Sequence, residues 1–153
     1  MNKPERGHSF TQKYAYKSRS LKNTVVVESA LAPTRKIEIT ALWDTGASLS
    51  CIRPEIVKEL NLSAVSMISI STPTDEHKES SVYLVNLHLP SSVSVMNIRV
   101  AEGVMRGCDM LIGMDVISLG DFVVSNYQGK TAFSFRVPSM AEFDFQKHSY
   151  SIP

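Results

Sequence analysis

Residues 36–43 read KIEITALW, setting Ile37, Ile39, Ala41 and Trp43 against Lys36, Glu38, Thr40 and Leu42. A period of two argues for a strand with one buried face. The strand runs straight into Asp44-Thr45-Gly46 and two small residues, Ala47 and Ser48, before a second short apolar piece, LSCI. Two readings of this junction stand open. Asp starts turns and Gly tolerates positive φ, so it serves as an ordinary turn. The flanking apolar strands and the lack of bulk beside a carboxylate also suit a site that another group must approach.

The rest of the chain repeats the pattern of short strands divided by turn residues. NTVVVESAL (23–31) is a β-branched run that Pro33 terminates. RPEIVKELN (53–61) is the best helix candidate, because Pro54 suits a first helical turn and Glu55 complements its positive end. Asn61 is able to close it in the left-handed conformation. Strands are expected at 65–71, 81–89 and 94–101, the second with Tyr83, Val85, Leu87 and Leu89 inward and Asn86 and His88 towards solvent. CDMLIGMDVISLG (108–120) reads as a buried strand meeting Gly113, then a short helical turn. A hairpin over 121–137 follows, its turn near Gln128-Gly129. Many short strands with dense turns favour a closed or sandwich-like all-β domain over a parallel sheet. A length of 153 residues fits one such domain.

Charge and motifs narrow the chemistry. The formal net charge of +1 argues against a polyelectrolyte binder. The first 22 residues nevertheless hold Lys3, Arg6, Lys13, Lys17, Arg19 and Lys22 against Glu5 alone, and read as a basic, flexible extension. Nucleic acid is not expected as a partner beyond that arm. No apolar run approaches the length needed to span a bilayer, and the first residues lack the apolar core of a secretion signal. The expectation is a cytoplasmic protein with no membrane contact, and with Cys51 and Cys108 as buried, reduced thiols. His8, His77, His88 and His148 are scattered, without His-x-x-x-His or Cys-x-x-Cys spacing, so neither a metal nor another cofactor is expected. Asp109 is read as a surface or turn residue, and Asp115 as an acid favoured at the start of the helical turn.

WDTGAS followed by CIRPEIVKELNL, and some fifty residues later by CDMLIGMDVISLGDF, resembles the retropepsin-type (retroviral-like) single-domain aspartic proteases. The resemblance implies an all-β, retropepsin-like acid-protease half-barrel. One short helix would follow the active-site strands, and a short helical turn would precede the last hairpin. It divides the chain into an extension (1–22), a protease domain (23–138) and a tail (139–153). By the same resemblance Asp44 is the catalytic aspartate, with Thr45 and Gly46 supporting the active-site loop. Ala47 and Ser48 would bind substrate, together with Thr72, Pro73 and Thr74 of a flap over 71–81. Leu111, Ile112 and Gly113 would pack against the loop. The expected activity is that of an aspartic endopeptidase acting on a peptide or protein. Such chemistry needs two carboxylates around one water, and the chain has one Asp-Thr-Gly in a length too short for a two-lobed enzyme. A homodimer is therefore expected. The flap segment contains no glycine. That keeps open a catalytically weak binding or assembly module of the same fold, or a protease that processes only itself.

Overall fold

The computed structural model describes residues 8–71 and 77–147. Its elements in chain order are β1 (His8–Lys13), β2 (Leu21–Ser29), β3 (Lys36–Trp43), β4 (Cys51–Ile52), α1 (Pro54–Glu59), β5 (Ser66–Ile70) and β6 (Lys78–His88). These are followed by β7 (Ser94–Glu102), β8 (Met110–Ile112), α2 (Met114–Ile117), β9 (Asp121–Ser125) and β10 (Ala132–Val137). The class is all-β, with a short helix after the Asp44 junction and a shorter one before the last hairpin. No helix among the described residues is long and apolar enough to cross a membrane.

Seven strands form one sheet in the order β2-β3-β8-β4-β7-β6-β5, and β2 also pairs with β6. That extra pairing, Val26–Ser29 against Val85–His88, bends the sheet round until it closes on itself, with β5 outside as an edge. Closure leaves one interior, filled by Val25, Val27, Ile39, Ala41, Ile52, Val85, Leu87, Val100, Met110 and Ile112, each at most 5% exposed. The alternation of β3 is obeyed, with Ile39, Ala41 and Trp43 buried and Lys36, Glu38 and Thr40 exposed. α1 begins with Pro54 as its first residue and is followed by Asn61 at φ 49°.

A second, three-stranded sheet runs β1-β10-β9. Its presence corrects part of the sequence reading. His8–Lys13 falls inside the stretch expected to be a flexible extension, yet it pairs with Ala132–Val137 along its whole length. The reason is Phe10, 4% exposed, which joins an aromatic cluster with Trp43, Phe133 and Phe135 at centroid distances of 5.9 to 6.5 Å. One aromatic in a basic segment supplies the apolar burial that orders it. The solvent face expected for β6 is also partly covered. Asn86 is buried, and His88 Nε2 lies 2.8 Å from Oε1 of the buried Glu28, with its Nδ1 2.9 Å from Ser94 Oγ. The hydrogen bond from His88 is the chief force holding the Glu28 carboxyl below its usual range, with burial opposing it. Cys108 is buried as expected, whereas Cys51 is half-buried; both are free thiols, and burial pushes both upward.

The start of the tail is tied to β9 by Asp121. Its carboxylate accepts hydrogen bonds from the Arg136 guanidinium, Ser139 Oγ and the Met140 N–H. Burial alone would raise this group, yet those bonds carry it down from 3.8 to about 2. A depressed folded-state value stabilises the protein above pH 3.8 and is lost as pH falls through about 2. The shift corresponds to about 2 kcal/mol. Urea unfolding at pH 5 and at pH 2 should therefore show a larger acid loss for the wild type than for Asp121→Asn, by about that amount.

Candidate active site

Trp43 fixes the end of the strand that delivers Asp44. Its ring stacks on Phe122 at 5.3 Å and packs against Phe133 and Phe135, and its indole N–H donates to Asn23 Oδ1 at 2.7 Å. One residue later the chain leaves β3. The Asp44 N–H donates to Ile112 O at 2.9 Å, which continues the parallel pairing of β3 with β8 by one step. The Asp44 side chain is half-buried. Its Oδ1 accepts the Gly46 N–H at 2.8 Å, and its Oδ2 accepts no hydrogen bond among the described residues. A side chain at Gly46 would place its Cβ 3.1 Å from Oδ1, so glycine lets the amide reach the carboxylate without crowding it. Thr45 and Gly46 are exposed at the head of the loop.

Beneath the loop runs the segment of β8 and α2, and the contact between them is close. A Cβ on Gly113 would lie 2.8 Å from Ala47 O and 2.9 Å from the Leu49 carbonyl carbon. The φ of Gly113 is −93°, open to any residue, so steric room and not backbone freedom requires glycine here. Hydrogen bonds complete the join. The Met114 N–H donates to Ala47 O at 2.8 Å and the Gly113 N–H to Ser50 Oγ at 3.0 Å. Ser50 in turn donates from its hydroxyl to Asp115 Oδ1 at 2.8 Å and from its amide to Oδ2 at 3.0 Å. Ser50 is fully buried, so each of these bonds replaces water that is not there.

The loop forms one wall of an open cleft of about 430 Å³. Gly46, Ala47, Ser48, Leu49 and Cys51 lie on one side and Ile68–Ser71 on the other. Among the described residues, none that lines it is charged. Ala47 and Ser48 thus stand at this cleft, Leu111 and Ile112 are in β8 below the loop, and Gly113 touches the loop directly. Thr72, Pro73 and Thr74 lie outside the described residues. Asp109 is remote from the carboxylate of Asp44 in its bonding, receiving the Thr40 N–H at 2.9 Å and the Arg53 guanidinium at 3.4 Å. Among the described residues no group of three or more His, Cys, Asp or Glu is placed to hold a metal ion.

Sequence reasoning missed Ser50 and the partner of Asp115. The acid at a helix start is explained well enough by the helix itself, and nothing local pointed to a serine 65 residues away. It also missed Cys51 and Ile68 as cleft residues. Their facing across the cleft depends on β5 hanging outside the closed sheet.

Comparison with known proteins agrees with this geometry. No curated protein matches the chain. The structure is similar to the crystal structure of a retropepsin-like aspartic protease from Rickettsia conorii, with a TM-score of 0.57 and 14% identity, over 90% of this chain and 99% of that one. The solution structure of simian foamy virus (mac) protease aligns with a TM-score of 0.41 and 21% identity, over 60% of this chain and 88% of that one. The sequence model of the aspartyl protease family matches residues 34–116, just over half of the chain, and takes in the Asp44 loop and the segment beneath it. With its retropepsin-like fold, the chain belongs to the aspartyl protease family.

Proposed function

We propose that the protein is an aspartic endopeptidase whose catalytic group is Asp44, acting in pairs with one carboxylate from each of two copies. The observation that carries this reading is the state of that carboxylate. One oxygen is held by Gly46, the other accepts no hydrogen bond among the described residues, and the loop presenting it lies at the surface beside a cleft whose described lining is uncharged. Two such groups brought together share a single proton, because like charges about 3 Å apart do not both ionise. The ionised member takes a proton from a water between them as that water attacks the peptide carbonyl. The protonated member gives its proton to the carbonyl oxygen. The resulting tetrahedral diol collapses with proton transfer to the leaving nitrogen, and the dyad returns to its starting state. The pair titrates as a unit, which predicts a bell-shaped pH profile.

Thr45, exposed next to the acid, is assigned to the contact between the two loops, and Gly46 to the backbone approach of substrate and water. Ala47 and Ser48 bind substrate, as do Thr72, Pro73 and Thr74 at the flap. Leu111, Ile112 and Gly113 hold the loop from below. In this reading the catalytic unit runs from β1 to β10, wider than the 23–138 suggested by the sequence, because the strand from His8 to Lys13 shares the aromatic cluster of Trp43.

Two experiments test the proposal. Wild type and Asp44→Asn are incubated with a diverse peptide library from acidic to neutral pH, and new termini are identified by mass spectrometry. Cleavage by wild type alone is expected; equal cleavage by both would remove Asp44 from the mechanism, and cleavage by neither would leave a binding module or a protease that processes only itself. Activity per chain should fall on dilution in step with the dimer fraction seen by sedimentation, and full activity from a strict monomer would refute the shared dyad. Separately, Gly113→Ala forces a Cβ into the backbone of residues 47–49. A loss of about 1–3 kcal/mol is expected in urea unfolding.

A further inference from the structure

The basic residues from Lys13 to Lys22 do not form a free arm. Tyr14 clamps the start of β2, its hydroxyl donating to Lys22 O and accepting the Lys22 N–H, both at 2.7 Å. Thr131 draws the same segment against the β9–β10 turn. Its O accepts the Tyr14 N–H, its N–H donates to Tyr16 O, and its Oγ1 accepts the Ser18 N–H. Lys22 Nζ reaches across to Gly107 O at 2.7 Å, which joins the loop after β7 to the same face. Three stretches far apart in sequence (13–22, 103–107 and 126–131) are thereby brought side by side. Together they carry Lys13, Lys17, Arg19, Lys22, Arg106 and Lys130, and no Asp or Glu.

Of the other cations, Arg35, Lys36, Arg53, Arg136 and Lys147 each face a carboxylate within 4 Å, whereas Lys58, Lys78 and Arg99 have none among the described residues. Among the described residues none of the six has such a partner. The acids flanking the 103–107 loop are already engaged, Glu102 by the Tyr83 hydroxyl and Asp109 by Arg53 and the Thr40 amide. Between the charges stand two exposed rings, Tyr16 at 64% and Tyr127 at 52%. Tyr14 props the Tyr16 ring edge-on at 6.0 Å. Ser20, Asn126 and Gln128 are exposed near the rings, and the loop after β7 adds Val104, 84% exposed.

We propose that this face binds single-stranded nucleic acid, its cations meeting phosphates and its two tyrosines stacking on bases. Unpaired cations alone would suit any polyanion. Exposed aromatic faces among polar residues select one that carries flat rings. A duplex is the poorer fit, since the cations sit on loops, strand ends and a hairpin tip, with no α-helix among these stretches to enter a groove. An anionic lipid surface would favour a broad apolar area between the charges, where this face offers Val104 but otherwise serine, asparagine and glutamine around the rings. The inference concerns a surface apart from the Asp44 cleft and stands whether or not the protein cleaves peptides.

Fluorescence polarisation of a labelled twenty-nucleotide oligo-dT, titrated with the full chain between 25 and 200 mM salt, tests it. Engagement of all six cations gives a slope of log affinity against log salt of about −4. The triple variant Lys17→Gln/Arg19→Gln/Lys130→Gln should bring that slope to about −2. All three side chains are exposed and make no hydrogen bond among the described residues, so the urea midpoint of the variant should match wild type. Tyr16→Ala should weaken binding about tenfold at fixed salt while leaving the slope unchanged. No polarisation change at 25 mM salt would overturn the proposal, as would binding that the triple variant leaves intact. Co-sedimentation with phosphatidylserine vesicles, in place of oligonucleotide binding, would overturn it as well.

Discussion

The approach of two backbones at Gly113 is the constraint on which the rest of the site depends. The carbonyls of Ala47 and Leu49 lie where a β-carbon would otherwise stand. Because that atom is absent, the loop bearing Asp44 rests directly on the start of α2. The amides of Gly113 and Met114 then find acceptors in the loop, and Ser50 finds both oxygens of Asp115. Interiors are close-packed and deform little, so a loop seated this way is held as a unit. Its carboxylate is thus held in one orientation, the preorganisation that the proposed chemistry at a shared proton would draw on.

A second support comes from above the loop. Trp43 is one residue before Asp44, and its ring sits among Phe10, Phe122, Phe133 and Phe135, contributed by the three strands of the smaller sheet. The smaller sheet therefore acts as a buttress for the strand that presents the acid. The closed sheet supplies the other side of the same strand through β2 and β8. Disturbance of either layer reaches the carboxylate through the indole.

Much of the fold was legible in the sequence where periodicity was strong and local. The alternation of KIEITALW, the proline at the start of α1 and the turn at Gln128-Gly129 all have short-range causes, and the structure repeats them. Local signals failed where the cause was distant. The strand from His8 to Lys13 is ordered by one phenylalanine meeting a cluster assembled more than 100 residues later, and its many charged neighbours hid that. His88 was read as a solvent-face residue because alternation says which way a side chain points, not that Glu28 of β2 would fold over it when the sheet closes. In the site, the Asp-Thr-Gly junction and the Leu-Ile-Gly segment were visible as motifs. The Ser50–Asp115 tie between them was not, since hydroxyl and acid each looked self-sufficient where they stood.

The pairing of β1 with β10 has a consequence in time as well as in space. His8 is made 129 positions before Val137, its partner in register. Until then the smaller sheet lacks its middle strand, Phe10 has no Phe133 or Phe135 to meet, and the indole of Trp43 is only partly enclosed. A ribosome-bound chain halted before residue 132 could close much of the larger sheet, yet would leave the acid on a strand with one side unsupported. Contacts of such sequence separation form late. The order of synthesis itself thus delays a finished strand before Asp44 until the β9–β10 hairpin has been delivered.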